Sequence, residues 1–173
     1  NEGEATFYRT SRFTLEEAKG VGLRDLAFKE LESASLGDEI KAAVRKVIRE
    51  KSNSVVLLTK LKSVNGDNTL TIANIHVSWG RLKAPDIQCV EVACAIKELV
   101  TMAGGVQNPH VICGDFNSPP SSPAHQLTQE GYLNDETMAK LQALDNVPLE
   151  EGKTSPLVNL WWKGFQHTST SLK

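Results

Sequence analysis

Hydrophobic and polar positions alternate with a period of two over residues 69–79, TLTIANIHVSW, as expected for a β-strand with one face in a core. Thr71, Ala73, Ile75, Val77 and Trp79 share one face, and Leu70, Ile72, Asn74, His76 and Ser78 share the other. That second face begins apolar and ends polar, which suits a strand buried at its start and opening into a cleft at its end. Residues 54–64 form a second strand-like run, and Asn65-Gly66-Asp67-Asn68 between the two favours a hairpin, so antiparallel pairing is expected. Residues 4–13 alternate as a further strand, with Ala5, Phe7 and Arg9 on one side and Tyr8 and Arg12 on the other. From 23 to 51 the period changes to that of a helix. Ile40, Val44, Val47 and Ile48 make the apolar stripe, and Asp38 is the expected cap. Pro85-Asp86 opens a helix running to Met102, which Gly104-Gly105 ends. Short helices are expected at 124–129 and 135–144, and a loop at 146–156. The fold expected from these elements is an α/β two-layer sandwich, with antiparallel strands packed on each other and helices outside.

Two strands end in polar residues, and there the candidate chemistry lies. In His110-Val-Ile-Cys-Gly-Asp-Phe-Asn-Ser-Pro-Pro120 an apolar strand runs into Asp115 and Asn117, which share a face with Val111 and Cys113. A carboxylate buried beside apolar neighbours needs a partner or a cation, which points to a polar active site. The same residues also suit a plain turn before Ser118-Pro119-Pro120, where Asp, Asn and Pro are common for backbone reasons. His76, preceded on its face by Asn74, gives the second polar strand end and favours the active-site reading. Arg9 and Arg12 have the chemistry to reach a phosphate, although lone arginines more often solvate a strand's end. Trp161-Trp162 suits base stacking or ordinary packing equally well in kind, and packing is the commoner use.

Three blocks in series resemble the endonuclease/exonuclease/phosphatase superfamily, in the branch of carbon-catabolite-repressor deadenylases, nocturnin, Angel proteins and 2',5'-phosphodiesterase. They are Glu2-Gly-Glu-Ala-Thr-Phe-Tyr-Arg-Thr-Ser-Arg-Phe13, Asn74-Ile-His-Val-Ser-Trp79 and Cys113-Gly-Asp-Phe-Asn-Ser118. The resemblance implies a DNase I-like domain, of which residues 1–173 form part, and a magnesium-dependent phosphodiesterase acting on an RNA 3' end or an adenine nucleotide. It implies that Asp115 activates the attacking water, Asn117 holds the scissile phosphate and His76 binds phosphate oxygens; Asn74, Trp79 and Arg9 are the further candidates for substrate binding. The family's metal-binding Gln-Glu motif is expected before Asn1, and its closing Asp-Tyr-Ile and Ser-Asp-His motifs beyond Lys173. His167 lacks the Asp neighbour, so no metal ligand is assigned here and the chain by itself is expected to be inactive.

Composition narrows the picture modestly. With 173 residues, 40% of them hydrophobic and 23% charged, the chain can form one domain with a substantial core. A net charge of −2 gives no general attraction to nucleic acid, so RNA would be held by a local site with a cation. The basic residues of 41–51 are the solvated face of an amphipathic helix. No run approaches a membrane span, and the three cysteines, an odd number without metal spacing, suit core thiols in a reducing compartment. An intracellular location follows, cytoplasmic before mitochondrial or nuclear. A chain cut from a sandwich is further expected to self-associate through unsatisfied sheet edges. The rival reading is a non-catalytic interaction module that keeps the fold.

Overall fold

The computed structural model describes residues 3–79 and 85–143. Four strands make one sheet in the order β1-β2-β3-β4: β1 is Phe13–Gly22, β2 Val55–Ser63, β3 Thr69–His76 and β4 His110–Asp115. The helices are α1 (Leu23–Ser33), α2 (Asp38–Lys51), α3 (Pro85–Ala103), α4 (Pro123–Glu130) and α5 (Asp135–Gln142). The expected hairpin is β2–β3, antiparallel with Val56 opposite Ile75 and Lys62 opposite Thr69. Its turn, residues 64–68, is wider than a two-residue turn, closed by the Ser63 N–H donating to Asn68 O (2.9 Å).

β3 and β4 pair in parallel, with α3 as the crossover between them, so the sheet is mixed where antiparallel strands were expected. Thr71, Ala73, Ile75, Val56 and Leu58 are buried on the face that α3 covers. The α/β class with helices outside the sheet is therefore what forms. The described strands make a single sheet, and a second sandwich layer is not among the described residues.

Two expectations are corrected at the amino-terminal side. Residues 3–9 lie outside any ladder, and the strand begins only at Phe13, after a turn in which Arg12 N–H and Phe13 N–H both donate to Arg9 O (2.9 and 3.0 Å). Phe7, placed on a strand face by its periodicity, is 93% exposed. β1 instead uses the sequence FTLEEAKGVG, whose polar run hides it from a period-two reading. As an edge strand it needs little burial, and a bulge at Glu16 shifts its register between Leu15 and Glu17.

The long helical stretch is two helices, broken at residues 34–37. Asp38 is the first helical residue of α2 and not its cap; Gly37 holds the cap position with no side-chain hydrogen bond, and Asp38 and Glu39 instead complement the helix dipole in the first turn. Val44, Val47 and Ile48 are buried as the stripe requires, while Ile40 packs at the core's margin. α3 is the central element, with residues 86–95 buried between the sheet and neighbouring helices. Gly104 and Gly105 end it with φ of 83° and 127°, values that favour glycine. The loop expected at 146–156 and the Trp161-Trp162 pair lie outside the described residues.

Candidate active site at the ends of β3 and β4

The parallel register sets Asn74 opposite Cys113 and His76 opposite Asp115. Register partners on adjacent strands stand about 4.8 Å apart along the hydrogen-bonding direction and project to the same face. His76 and Asp115 thus share one strand end, on the face away from α3. The ladder continues one step further, with the Val77 N–H donating to Asp115 O (2.9 Å).

Gly114 makes this close pairing possible. Its φ is 133°, and a Cβ there would sit 1.9 Å from Ile75 O, so only glycine lets β4 approach β3 at this point. Asn117 then turns the chain in the left-handed region (φ 46°), a conformation Asn tolerates better than most residues. Three hydrogen bonds hold it. Its N–H donates to Asp115 Oδ1 (2.9 Å), its Nδ2 donates to Val77 O (2.8 Å), and its carbonyl accepts from Gln88 Nε2 (3.1 Å). The Asp115 carboxylate, the Asn117 carboxamide and the end of β3 are one connected unit.

The site is open. Asp115 is exposed, as are Val111 (45%) and Cys113, because the face of β4 away from α3 is left uncovered among the described residues. The expectation of a buried carboxylate is corrected accordingly: what marks Asp115 is its register and its hydrogen bond, not desolvation. Cys113 is likewise no core thiol, its Sγ donating weakly to Ala73 O at 3.6 Å. Cys89 and Cys94 are buried free thiols as expected, and burial pushes both thiol pKa values far up.

The remaining candidates divide. Asn74 shares the face of His76, but its Nδ2 donates to Ala5 O (3.1 Å), so it anchors the amino-terminal segment. Trp79, 64% exposed, lies three residues past the end of β3. Arg9 lies in the turn into Phe13, whose partner is Ser63, at the hairpin end of the sheet and away from His76. The structure brings together His76, Asp115 and Asn117 and leaves Arg9 out.

Sequence reading missed the support beneath these residues. Glu91 of α3 is wholly buried, and its Oε1 accepts from Ser52 Oγ (2.6 Å) and Ser78 Oγ (2.8 Å) while its Oε2 accepts from the Ser78 N–H (2.8 Å). Gln88, one turn earlier, donates both amide hydrogens, to Ser78 O and Asn117 O (3.1 Å each). Two polar residues inside the apolar run IQCVEVACAI were the available signal.

No group of three His, Cys, Asp or Glu suited to a metal ion occurs among the described residues. Asp115 contributes one carboxylate with one oxygen already engaged, so these residues do not complete a magnesium site.

No protein-family model matches the chain. Among curated proteins it is 31% identical over 142 residues to 2',5'-phosphodiesterase 12 of Bos taurus, which aligns with 77% of this chain and 22% of that protein. Carbon catabolite repressor protein 4 homolog 1 of Arabidopsis thaliana is 29% identical over 139 residues, covering 77% of this chain and 23% of the relative. The chain belongs to the endonuclease/exonuclease/phosphatase superfamily. Within it the likeness is to the branch that contains the repressor-protein-4, Angel and 2',5'-phosphodiesterase proteins. A crystal structure of ANGEL2, a 2',3'-cyclic phosphatase, superposes with a TM-score of 0.57 at 20% identity over 89% of this chain and 39% of that one, which shows the DNase I-like fold. The curated relatives include, by name, a 2',5'-phosphodiesterase and a 3'-5'-exoribonuclease subunit. The chain spans about a fifth of the length of the curated relatives. Among the described residues no helix is long and apolar enough to cross a membrane.

Proposed function

We propose that the protein to which this chain belongs hydrolyses phosphodiester bonds, acting as a 3' exoribonuclease of the deadenylase kind on an RNA 3' end. The observation that carries the reading is the β3–β4 register, which sets His76 beside Asp115 while Asn117 is tied to both strand ends. Asp115 Oδ1 accepts from Asn117 N–H, which leaves Oδ2 to orient a water or take its proton. His76 is placed to donate to a phosphate oxygen as charge develops there. The Asn117 carboxamide, fixed through Nδ2, keeps its oxygen at the same strand end. Trp79, exposed three residues past the end of β3, is the aromatic residue on which a base would stack in this reading. Magnesium belongs to this reading as an ion held in the complete domain, and no step is assigned through it. The 22% coverage of 2',5'-phosphodiesterase 12 leaves a 2',5'-linked oligoadenylate as the second substrate to try.

The test is Asp115→Asn in the full-length protein, with fluorescent oligoadenylates of 3',5' and 2',5' linkage. An Asn at this position still accepts the Asn117 N–H, so the turn survives, and turnover should fall by roughly a hundredfold or more. His76→Ala should lower it as well. Turnover close to that of the unsubstituted protein would remove Asp115 from the chemistry, and a full-length protein inactive on every phosphodiester would favour the interaction module.

A further inference from the structure

Beneath the strand ends lies a buried polar network that no step assigned so far requires. Glu91 is 0% exposed and sits on the central helix, where an apolar residue would pack at less cost. Its carboxylate binds Ser78, two residues past the end of β3, through both the backbone N–H and the hydroxyl. Ser52, which caps α2 and whose carbonyl accepts from Arg24 Nε (2.5 Å), donates to the same carboxylate. Gln88 spans the two strand ends outright, with one amide hydrogen on Ser78 O and the other on Asn117 O. Ser78 Oγ is held from the far side by Ser54 Oγ (3.0 Å) and lies 3.3 Å from Asn53 Oδ1. No buried side-chain oxygen or nitrogen of this cluster lacks a partner, and the bonds converge on the backbone two residues past His76 and two past Asp115.

We infer that Glu91 and Gln88 are positioning residues for the proposed hydrolysis: one turn of α3 fixes the spacing between the end of β3, with His76, and the turn after β4, with Asp115 and Asn117. A buried side-chain network with all members satisfied is rigid, and a helix interior is a firmer support than the exposed loops it holds. This inference rests on the function proposed above only for its consequence in turnover. The clamp itself is a property of the backbone and can be read without substrate.

Full-length protein is prepared unsubstituted and as Glu91→Gln, Glu91→Leu, Gln88→Leu and Ser52→Ala. Two readouts are taken: amide hydrogen exchange at Ser78 and Asn117 against Leu58 and Ala73 in the sheet, and kcat and KM on the fluorescent oligoadenylate. In Glu91→Leu the Ser78 amide should exchange on the order of tenfold faster while the sheet amides hold. Its kcat should fall by roughly tenfold to a hundredfold, the effect expected of misplacement by about an ångström, with KM within about threefold. Glu91→Gln should restore both, because its amide oxygen can accept the Ser78 N–H and the serine hydroxyls can turn to accept its N–H. Ser52→Ala removes a bond to the same carboxylate away from the strand ends, and should lower stability without lowering kcat. If Glu91→Leu does not fold, Gln88→Leu carries the same expectations, with Asn117 as the amide that loosens.

Unchanged exchange at Ser78 in Glu91→Leu, or at Asn117 in Gln88→Leu, would overturn the clamp. So would an equal loss of kcat in Ser52→Ala, since the network would then act only through stability. Should the unsubstituted protein not cleave the oligoadenylate, the proposed function fails and the exchange readout still decides the clamp.

Discussion

Single residues decide how closely β3 and β4 approach. Gly114 stands where a Cβ would meet Ile75 O at 1.9 Å, and its φ of 133° is one that side chains rarely adopt. Gly114→Ala must therefore separate the two strands or strain the backbone, at a cost of about 2 kcal/mol or more. Urea unfolding checks this through a lowered midpoint at unchanged slope. The strand shift should also part His76 from Asp115, so any phosphodiesterase activity should fall further than stability alone explains. Asn117, at φ 46°, is the companion position. Its side chain bridges to Val77 O, so Asn117→Gly would keep the backbone angle while losing that bridge.

Among the elements, α3 carries both the crossover and the buried acid. Burial raises the pKa of Glu91 above the ordinary 4.5, against the lowering effects of hydrogen bonds from Ser52 and Ser78 and of the Arg24 charge. With a raised pKa the native state retains a proton that the unfolded chain has released. The stability this confers is fully present below 4.5 and is lost as pH rises through the raised value. Unfolding free energy should decline as pH rises above 4.5, and Glu91→Gln should flatten the decline because an amide does not titrate. An identical pH profile in the two proteins would mean that other groups set it.

At the scale of the whole molecule, β4 stands at one edge of the sheet and β1 at the other. β4 exposes Val111 and an unpaired row of backbone groups among the described residues, an arrangement that invites a second strand. The chain of 173 residues should therefore self-associate at micromolar concentration, visible by light scattering. A monodisperse and thermally robust monomer would count against an incomplete sheet. The same chain should bind magnesium weakly in calorimetry, because the described residues hold no group of three His, Cys, Asp or Glu suited to a metal ion. Strong binding would locate ligands beyond those described.

What the sequence determined by itself is local. The alternation of 69–79, with Ala73, Ile75 and Val77 buried and Asn74 and His76 half-buried on the opposite face, was legible because a strand's period separates its faces without reference to any neighbour. The hairpin through Asn65-Gly66, the stripe of α2 and the polar ends at His76 and Asp115 were legible for the same reason. Tertiary structure decided the rest. β1 went unread because an edge strand need not alternate, and residues 4–13 were misread because alternation was present without a partner strand. The exposure of Asp115 and Cys113 depends on what covers their face, which no local pattern encodes. That His76 meets Asp115, and that Glu91 and Gln88 reach beneath both, follows from a parallel register and a crossover helix, contacts set by pairing residues 39 apart in the chain. Periodicity fixes which way a side chain points, and only packing fixes what it points at.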